Sequence, residues 1–475
     1  MPDREGVLVA LAYVSTRGGV PPQDFQDVLF AGLAPDGGLF VPQSWPQLSE
    51  DGLHALRDAS YAEVAQSVIY PFVADCLSLD RFAAMVDASY AAFAHPAVAP
   101  LKQLDDTGWL LELFHGPTLA FKDFALQLLG RLFEHFLAEA EQRITVIGAT
   151  SGDTGSAAIA ACAGKRNIKI IILHPHERTS LVQRRQMTTV AADNVHNLAV
   201  EGTFDDCQAM VKAMFNEPET RARLGLAAIN SINWARIMAQ AAYYVYAATR
   251  LGGPDVAPHF VVPTGNFGNV YAGHVARSMG LPIAGLTVAT NHNDILSRFI
   301  NQGDYSVGRV QPSISPSMDI QVASNFERAL FELFDTDGGQ IAEHMHAFAR
   351  HKALSIGGNR LARARAWFAA DTVDEPSTLA RIKQTHERTG ETVCPHTAVG
   401  LEVAARVRAH GVRAPIVTLA TAHPAKFPDA VEQAIGAKPA LPPHINDLFA
   451  RAERFDVVAN DLDAVRAAIT AFAEG

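Results

Sequence analysis

The chain has 475 residues, which is long enough for two or three domains and therefore for a site between domains. Hydrophobic residues make up 48% and charged residues 19%, a balance typical of globular proteins and far from that of disordered chains. The formal net charge of −11 would repel a phosphate backbone, and no run of Lys and Arg interleaved with aromatic residues reverses it locally. Nucleic-acid binding is therefore not expected, and an anionic small ligand must be held by local donors and a few cations.

Cysteine usage and hydropathy indicate where in the cell the protein is expected. The cysteines are widely spaced and form no CxxC pair, so neither a zinc site nor a disulfide scaffold is indicated, and we expect no metal. The apolar run at residues 7–12 is short and follows Asp3-Arg4-Glu5 without a basic excess, which argues against a signal peptide. No apolar run approaches the roughly 18 residues needed to cross a bilayer. These features predict a soluble cytoplasmic protein with no membrane partner.

The first hundred residues differ in pattern from the rest. Loop-like pieces such as Pro35-Asp36-Gly37-Gly38 alternate with amphipathic helical stretches such as Tyr61 to Val73. We interpret residues 1–100 as a separate N-terminal region.

From Ile144 onward, short β-rich runs alternate with helical ones, which predicts parallel sheets with crossover helices. The candidate strands of a first series are Ile144 to Ile147, Ile168 to Leu173, Val195 to Val200 and Leu226 to Ile229. Those of a second series are Phe260 to Val262, Leu286 to Val288 and Ile416 to Leu419. The pattern predicts an α/β fold with two parallel sheets, and it gives no clear topology for residues 304–389.

Two glycine-rich turns each follow a predicted strand and precede a helix. The first contains Ser151-Gly152-Asp153-Thr154-Gly155, and the second is Gly265-Asn266-Phe267-Gly268-Asn269. Backbone amides and the helix dipole make such turns suitable for anions, and glycine permits close approach of the backbone to a ligand. The first turn matches neither GxGxxG nor GxxxxGK[ST], which argues against a dinucleotide or nucleotide triphosphate. Each could also be an ordinary capped turn with no ligand.

Lys122 lies in the stretch Phe121-Lys122-Asp123-Phe124, with apolar and aromatic residues on both sides. Such surroundings disfavour the charged form of an amine, which makes it a nucleophile and a base near neutral pH. A lysine that extends from a buried helix to water would have the same neighbours. The local sequence leaves both interpretations open.

Five stretches in this order resemble the threonine synthase family of fold-type II pyridoxal-phosphate enzymes. They are HGPTLAFKDFA at 115–125, ATSGDTGSAA at 149–158, INSINWAR at 229–236, PTGNFGN at 263–269 and CPHTAVG at 394–400. Supporting stretches at 13–18, 33–39 and 422–428 extend the resemblance nearly from end to end. One departure is Cys394, where the family often has aspartate, and it makes a reactive thiol or a small buried side chain possible there.

The resemblance implies a domain arrangement and a reaction. A large domain at 101–140 and 237–475 would bind pyridoxal 5'-phosphate (PLP), and a smaller α/β domain at 141–236 would close over the substrate. The reaction would convert O-phospho-L-homoserine and water to L-threonine and phosphate, by β,γ-elimination and water addition. The protein would be a monomer or a homodimer.

The same resemblance assigns roles to residues of this chain. Lys122 would carry the cofactor covalently and transfer protons, and Thr397 would contact the pyridine nitrogen. The cofactor phosphate would be cradled by Gly265, Asn266, Phe267, Gly268 and Asn269. The substrate would be bound by Ser151, Asp153 and Thr154 at its carboxylate and at the cofactor edge, and by Ser231 and Arg236 at its phosphate.

Two other functions remain compatible with the motifs. A PLP lyase acting on serine or threonine would share the lysine and both loops, and a nucleotide-binding regulatory protein could use the glycine turns alone. His115 and His396 could titrate near neutral pH, but we expect hydrogen bonds in a loop or in the core. We interpret Asn291-His292-Asn293-Asp294 as a loop and helix cap and not as a metal site.

Overall fold

A computed structural model of the chain describes residues 11–150 and 152–475. Its strands are β1 (Tyr13–Ser15), β2 (Phe40–Pro42), β3 (Leu101–Gln103), β4 (Gly108–Glu112), β5 (Ile144–Ala149), β6 (Ile168–Pro175), β7 (Val195–Val200), β8 (Leu226–Ala227), β9 (His259–Pro263), β10 (Gly285–Thr290), β11 (Ala369–Thr372), β12 (Ile416–Ala420) and β13 (Asp456–Val458). The predicted strands of both series are present, and the last strand of the first series is shorter than expected.

The helices fall between these strands and after them. They are α1 (Phe25–Ala31), α2 (Glu50–Ala55), α3 (Tyr61–Ile69), α4 (Leu79–Tyr90), α5 (Lys122–Glu139), α6 (Asp153–Cys162), α7 (Leu181–Thr188), α8 (Phe204–Phe215), α9 (Pro218–Leu224), α10 (Trp234–Arg250), α11 (Gly268–Ser278), α12 (Ile295–Gln302), α13 (Phe326–Leu333), α14 (Gly338–His351), α15 (Gly358–Trp367), α16 (Glu375–Thr389), α17 (Pro395–Ala409), α18 (Pro428–Ile435) and α19 (Leu462–Glu474). Among the described residues, no helix is both long and apolar enough to span a membrane.

Two sheets organise the molecule, as the alternating pattern predicts. The larger sheet has the order β11-β10-β9-β12-β4-β3 and is parallel except for β3, which is antiparallel to β4. The smaller sheet has the order β13-β7-β6-β5-β8 and is parallel throughout. Every residue of β9 and β12 is buried, as expected for central strands that are covered on both faces. The α/β class with two parallel sheets is therefore confirmed.

Two boundaries of the predicted division differ from the observed packing. Residues 237–475 were assigned to the larger domain, but β13 pairs with β7 and α19 packs against α8 and α9 of the smaller sheet. The short stretch Asp456–Val458 has too few residues for its pattern to identify a strand. The division after residue 236 also cuts α10, which begins at Trp234 and packs against α3, α5 and α11.

The N-terminal region has its own two-stranded sheet, in which β1 and β2 are antiparallel, but residues 11–100 form no separate core. Tyr13, Phe25 and Phe72 are fully buried in the same apolar cluster as Trp234 of α10. The ring centroids of Tyr13 and Trp234 lie 6.2 Å apart. Residues 304–389, whose pattern predicts no clear topology, contain α13 to α16 and the edge strand β11.

Candidate active site

Lys122 is the first residue of α5, and the backbone before it is held by the end of β12. Leu119 has a left-handed φ of 61°, and the Phe121 amide donates to the Thr421 carbonyl at 2.9 Å. The Lys122 side chain is 12% exposed, so it does not extend into water. Burial lowers its pKa, Asp153 opposes that shift, and the nearby cations of Lys426 and Arg236 reinforce it.

Asp153 begins α6 and accepts from four side chains. Its Oδ2 lies 3.4 Å from Lys122 Nζ and 3.3 Å from Ser317 Oγ. Its Oδ1 lies 2.8 Å from Gln183 Nε2 and 3.0 Å from Lys426 Nζ. Burial alone would raise the pKa of Asp153, but the two lysines and the Gln183 hydrogen bond hold it well below its usual range. The carboxylate therefore stays ionised and is fully partnered within the protein.

Lys426 has the most buried side chain of this cluster, at 0% exposure. It lies in the 3₁₀ turn Pro424–Lys426 after β12, and its Nζ also donates to the Thr118 carbonyl at 2.7 Å. Lys426 lies in the stretch 422–428, which supports the family resemblance, but the sequence alone assigns it no role. Its position between Ala425 and Phe427 is the available signal, since a charged residue among apolar ones is rarely buried without a partner.

The loop from Gly265 to Asn269 joins β9 to α11. Phe267 has a left-handed φ of 64°, and its side chain packs in the core with its ring centroid 5.2 Å from that of Phe326. A Cβ on Gly265 would lie 2.5 Å from the Ser317 carbonyl oxygen, so only glycine fits there. Only the backbone of Phe267 can therefore face a ligand, together with the unbonded first amides of α11.

Asn269 offers a buried donor. Its Oδ1 accepts from Tyr243 at 2.6 Å and from Tyr244 at 3.0 Å. Its Nδ2 has no hydrogen-bond partner among the described residues. An unpaired buried amide hydrogen is costly without a ligand, so this atom suits an anion at the start of α11.

Arg236 is the third residue of α10 and is 3% exposed. Within the described parts of the chain, its Nε and Nη1 have no hydrogen-bond partner. Burial lowers its pKa to about 10, which still leaves the side chain charged at neutral pH. The cation also lies at the positive end of the helix dipole. Because Arg236 is buried, it does not form an ion pair with a carboxylate on the surface.

Asn325, which lies outside the five motif stretches, connects two of them. Its Nδ2 donates to the Ser231 carbonyl at 3.0 Å and to the Asn266 carbonyl at 3.2 Å. The fully buried Arg328 donates to Asn325 Oδ1 and, at 2.6 Å, to the Ile232 carbonyl. The Ser231 stretch and the glycine loop are therefore held side by side.

Thr397 lies in the first turn of α17 and is 1% exposed. Its amide donates to Cys394 Sγ at 3.4 Å, so Cys394 caps the helix. Burial raises the pKa of the Cys394 thiol, which favours the inert reading over a reactive thiolate. His396 accepts from the Ser317 amide at 3.2 Å, and burial lowers its pKa to about 4. Its expected role as a hydrogen-bonded core residue is confirmed.

The residues considered in the sequence also include Ser151, Thr154, His115, Asn291 and Asn293. Ser151 lies outside the residues that the structure describes. Thr154 is half-buried at the second position of α6. His115 pairs with Glu112 at 2.7 Å. Asn291 and Asn293 donate to Asp319 at 2.7 and 3.1 Å, which fixes the loop that carries Ser317.

Matches to known families cover most of the chain. Residues 96–360 match the model described as "Pyridoxal-phosphate dependent enzyme". Residues 12–90 match "Threonine synthase N terminus", and residues 397–469 match "Threonine synthase, C-terminal". The first match alone spans more than half of the chain, so this protein is a PLP-dependent enzyme.

Relatives that match over nearly the whole chain identify the family more specifically. The threonine synthase of Pseudomonas aeruginosa is 51% identical over 97% of this chain and 98% of its own. The solved PLP-bound threonine synthase from Brucella melitensis is 48% identical with a TM-score of 0.96, over 98% of this chain and 100% of its own. The yeast threonine synthase structure is 36% identical with a TM-score of 0.93, over 98% and 99%. The chain belongs to the threonine synthase family.

Proposed function

We propose that this protein converts O-phospho-L-homoserine and water to L-threonine and phosphate. The observation that carries the proposal is the buried, unpaired guanidinium of Arg236, close enough for its charge to lower the pKa of Lys122. A substrate with a phosphate at one end and an amine at the other satisfies both groups. Family membership disfavours the regulatory alternative and the lyase acting on serine or threonine, which needs no second phosphate site.

The residues around Lys122 fit PLP. Its phosphate requires amide donors, and the start of α11 offers them beside the unpaired Asn269 Nδ2. We assign the phosphate to the loop Gly265, Asn266, Phe267, Gly268 and Asn269, and the ring nitrogen to Thr397. When bound, the cofactor supplies an electron sink for carbanion chemistry. A hydroxyl at the ring nitrogen does not favour its protonation, which moderates that sink.

Replacement of Gly268 by valine tests the cofactor loop. A Cβ at this position would lie 3.1 Å from Asn325 Nδ2 and 3.4 Å from Ile237 Cδ1, so a branched side chain must move both. We expect cofactor affinity to fall by about tenfold or more, the scale of an overpacked contact. Retention is measured by dialysis and the visible absorbance of the bound cofactor. Unchanged affinity would remove the loop from the cofactor site.

Lys122 would carry the cofactor and then move protons. Its low exposure and lowered pKa allow the neutral amine to take a proton from the substrate and to return it elsewhere. Asp153 Oδ2 lies 3.4 Å from Lys122 Nζ and would fix the direction of that amine. Elimination releases phosphate, and addition of one water completes the product.

Asp153 is less suited to bind the substrate carboxylate than the family resemblance suggests. An ionised carboxylate repels a substrate carboxylate, and all its observed partners are donors of this chain. We therefore assign the substrate carboxylate to Thr154, to Ser151 and to the amides at the start of α6. Asp153 is left to orient Lys122. Ser231 and Arg236 would hold the substrate phosphate, since the planar fork of arginine matches its oxygens.

Closure of the region from about 144 to 236 over the substrate is a further proposal, because excluded water protects reactive intermediates. Hydrogen exchange in this segment should slow when a substrate analogue binds, and exchange outside it should change less. Equal exchange with and without the analogue would contradict closure.

Setting and assembly are also proposals. A cytoplasmic location is supported by four free cysteines among the described residues, and a net charge of −11 speaks against nucleic acid as a partner. A monomer or a homodimer is expected, and light scattering after size exclusion separates the two.

Phosphate release tests the function directly. Purified protein with PLP should release one phosphate for each threonine formed from O-phospho-L-homoserine, and it should act far more slowly on threonine or serine. Rapid turnover of threonine without activity on phosphohomoserine would instead support the lyase.

A further inference from the structure

Lys426 joins three separate parts of the chain at the Lys122 site. It follows β12 of the larger sheet, it donates to Thr118 in the segment before α5, and it contacts Asp153 at the start of α6 in the smaller sheet region. The Thr118 carbonyl also accepts from Gln186 at 3.1 Å, so the segment before α5 is anchored without Lys426. Lys426 is therefore fully buried, although the segment before α5 does not need its hydrogen bond to be held in place.

The two lysines use opposite oxygens of one carboxylate. Lys426 Nζ lies 3.0 Å from Asp153 Oδ1, and Lys122 Nζ lies 3.4 Å from Oδ2. If Asp153 faced Lys122 alone, the pair would form an isolated buried ion pair and hold Lys122 protonated. With Lys426 present, the carboxylate already has a cation, so Lys122 can be neutral without leaving a buried charge unbalanced.

We propose that Lys426 is a positioning residue, which holds Asp153 by its far oxygen so that Asp153 orients the Lys122 amine without locking it in the protonated form. The proposal rests on the proposed function only in taking Lys122 as the reacting amine. Besides Lys426 and Asp153, the charged or titratable groups that act on Lys122 are Arg236 and His396, while Asp123 acts on Lys426. Arg236 and the buried His396 cannot replace Lys426, because neither contacts Asp153 in the described residues.

The experiment measures the titration of Lys122 in the full chain without cofactor. Brief labelling with acetic anhydride at a series of pH values, followed by peptide mass spectrometry, gives the pH at which Lys122 becomes reactive. In Lys426→Met, we expect the midpoint to rise by about one pH unit, the effect of an opposite charge left without its competitor. Labelling below the midpoint then slows about tenfold at a given pH. Lys426→Arg should restore the parent midpoint, because it keeps the cation.

Local unfolding would also raise the midpoint, so a double variant separates the two causes. In Lys426→Met with Asp153→Asn, the midpoint should fall below that of Lys426→Met, because the carboxylate that stabilises the ammonium is gone. If the midpoints of these two variants agree, the site has only loosened and the positioning role is overturned. An unchanged midpoint in Lys426→Met, or an Arg variant that behaves like Met, overturns it as well.

Lys438→Met is the matched control, since Lys438 is 58% exposed and pairs with Asp429 and Glu432 on the surface. It should leave the Lys122 midpoint unchanged. The labelling needs neither substrate nor turnover. It therefore gives the same answer whichever amino acid the enzyme uses, and its failure is distinct from failure of the proposed reaction.

Discussion

Asp153 and Arg236 are both buried charges in the first turn of a helix, but their partners differ completely. Asp153 accepts from Lys122, Lys426, Gln183 and Ser317, and its negative charge suits the helix N-terminus. Arg236 has two unpaired donors, and its positive charge opposes the dipole of α10. Burial without a partner is costly, so Arg236 is arranged for a ligand, whereas Asp153 is arranged for the protein's own amines.

Replacement of Lys122 by alanine should have the largest effect, because this removes the amine that the Asp153 cluster serves. We expect threonine formation to fall by about 10³-fold or more, given that both cofactor attachment and proton transfer are lost. Borohydride reduction, digestion and mass spectrometry should place the pyridoxyl group of the parent on Lys122. Lys102→Ala, at an exposed surface ion pair, should keep full activity. A pyridoxyl group on another lysine would contradict the assignment.

Asp153→Asn should lower stability by about 3 kcal/mol, because it leaves the buried Lys426 without its counter-ion. The free energy of unfolding from urea titration of the cofactor-free protein measures this. Asp463→Asn is a suitable control, since that carboxylate pairs with Arg466 on the surface and exposed pairs contribute little. Equal stabilities of the two variants would mean that the buried cluster is not held by the Asp153 charge.

The sequence predicted the residues in short motifs better than the contacts between residues that are far apart in the chain. The glycine turns are predicted by local patterns, and the strands from β5 to β7 are predicted by alternation, whereas the roles of Lys122 and Arg236 are predicted by the family resemblance. Lys426 was missed because its partner Asp153 is far away in the chain. Its apolar neighbours Ala425 and Phe427 indicate burial but do not indicate which group it contacts. Ser317 and Asn325 lie in the 304–389 segment, whose position depends on contacts such as those of Asn291 with Asp319. Local periodicity carries no information on such contacts.

Arg236→Ala should reduce kcat/KM for O-phospho-L-homoserine by about 30-fold, which corresponds to about 2 kcal/mol for a lost charge-assisted contact. The stability of the ligand-free protein should stay equal or rise, because an unpaired buried charge is removed. This is the opposite of the result for Asp153→Asn, so the two variants together test the comparison. Cofactor attachment to Lys122 should survive.

Arg250→Ala provides the control at the other end of α10, where the guanidinium bonds to the Leu56 carbonyl. It should leave kcat/KM unchanged. Near-normal kcat/KM in Arg236→Ala would require another site for the substrate phosphate.

His396 gives the smallest expected effect, on the pH dependence of stability. Its Nε2 accepts from Ser317, which in turn donates to Asp153, and burial lowers its pKa to about 4 from the ordinary 6.5. Below pH 6.5 the unfolded chain takes up a proton that the folded protein refuses. The stability from neutral His396 is therefore fully present above pH 6.5 and is lost as the pH falls towards about 4.

His396→Gln keeps an acceptor for the Ser317 amide but does not titrate. Between pH 7 and pH 5, the parent should lose about 1.5 kcal/mol more unfolding free energy than this variant in urea titrations. His351→Gln, at an exposed position of α14, should follow the parent at both pH values. If the parent and His396→Gln lose stability equally, His396 is not held neutral in the folded protein.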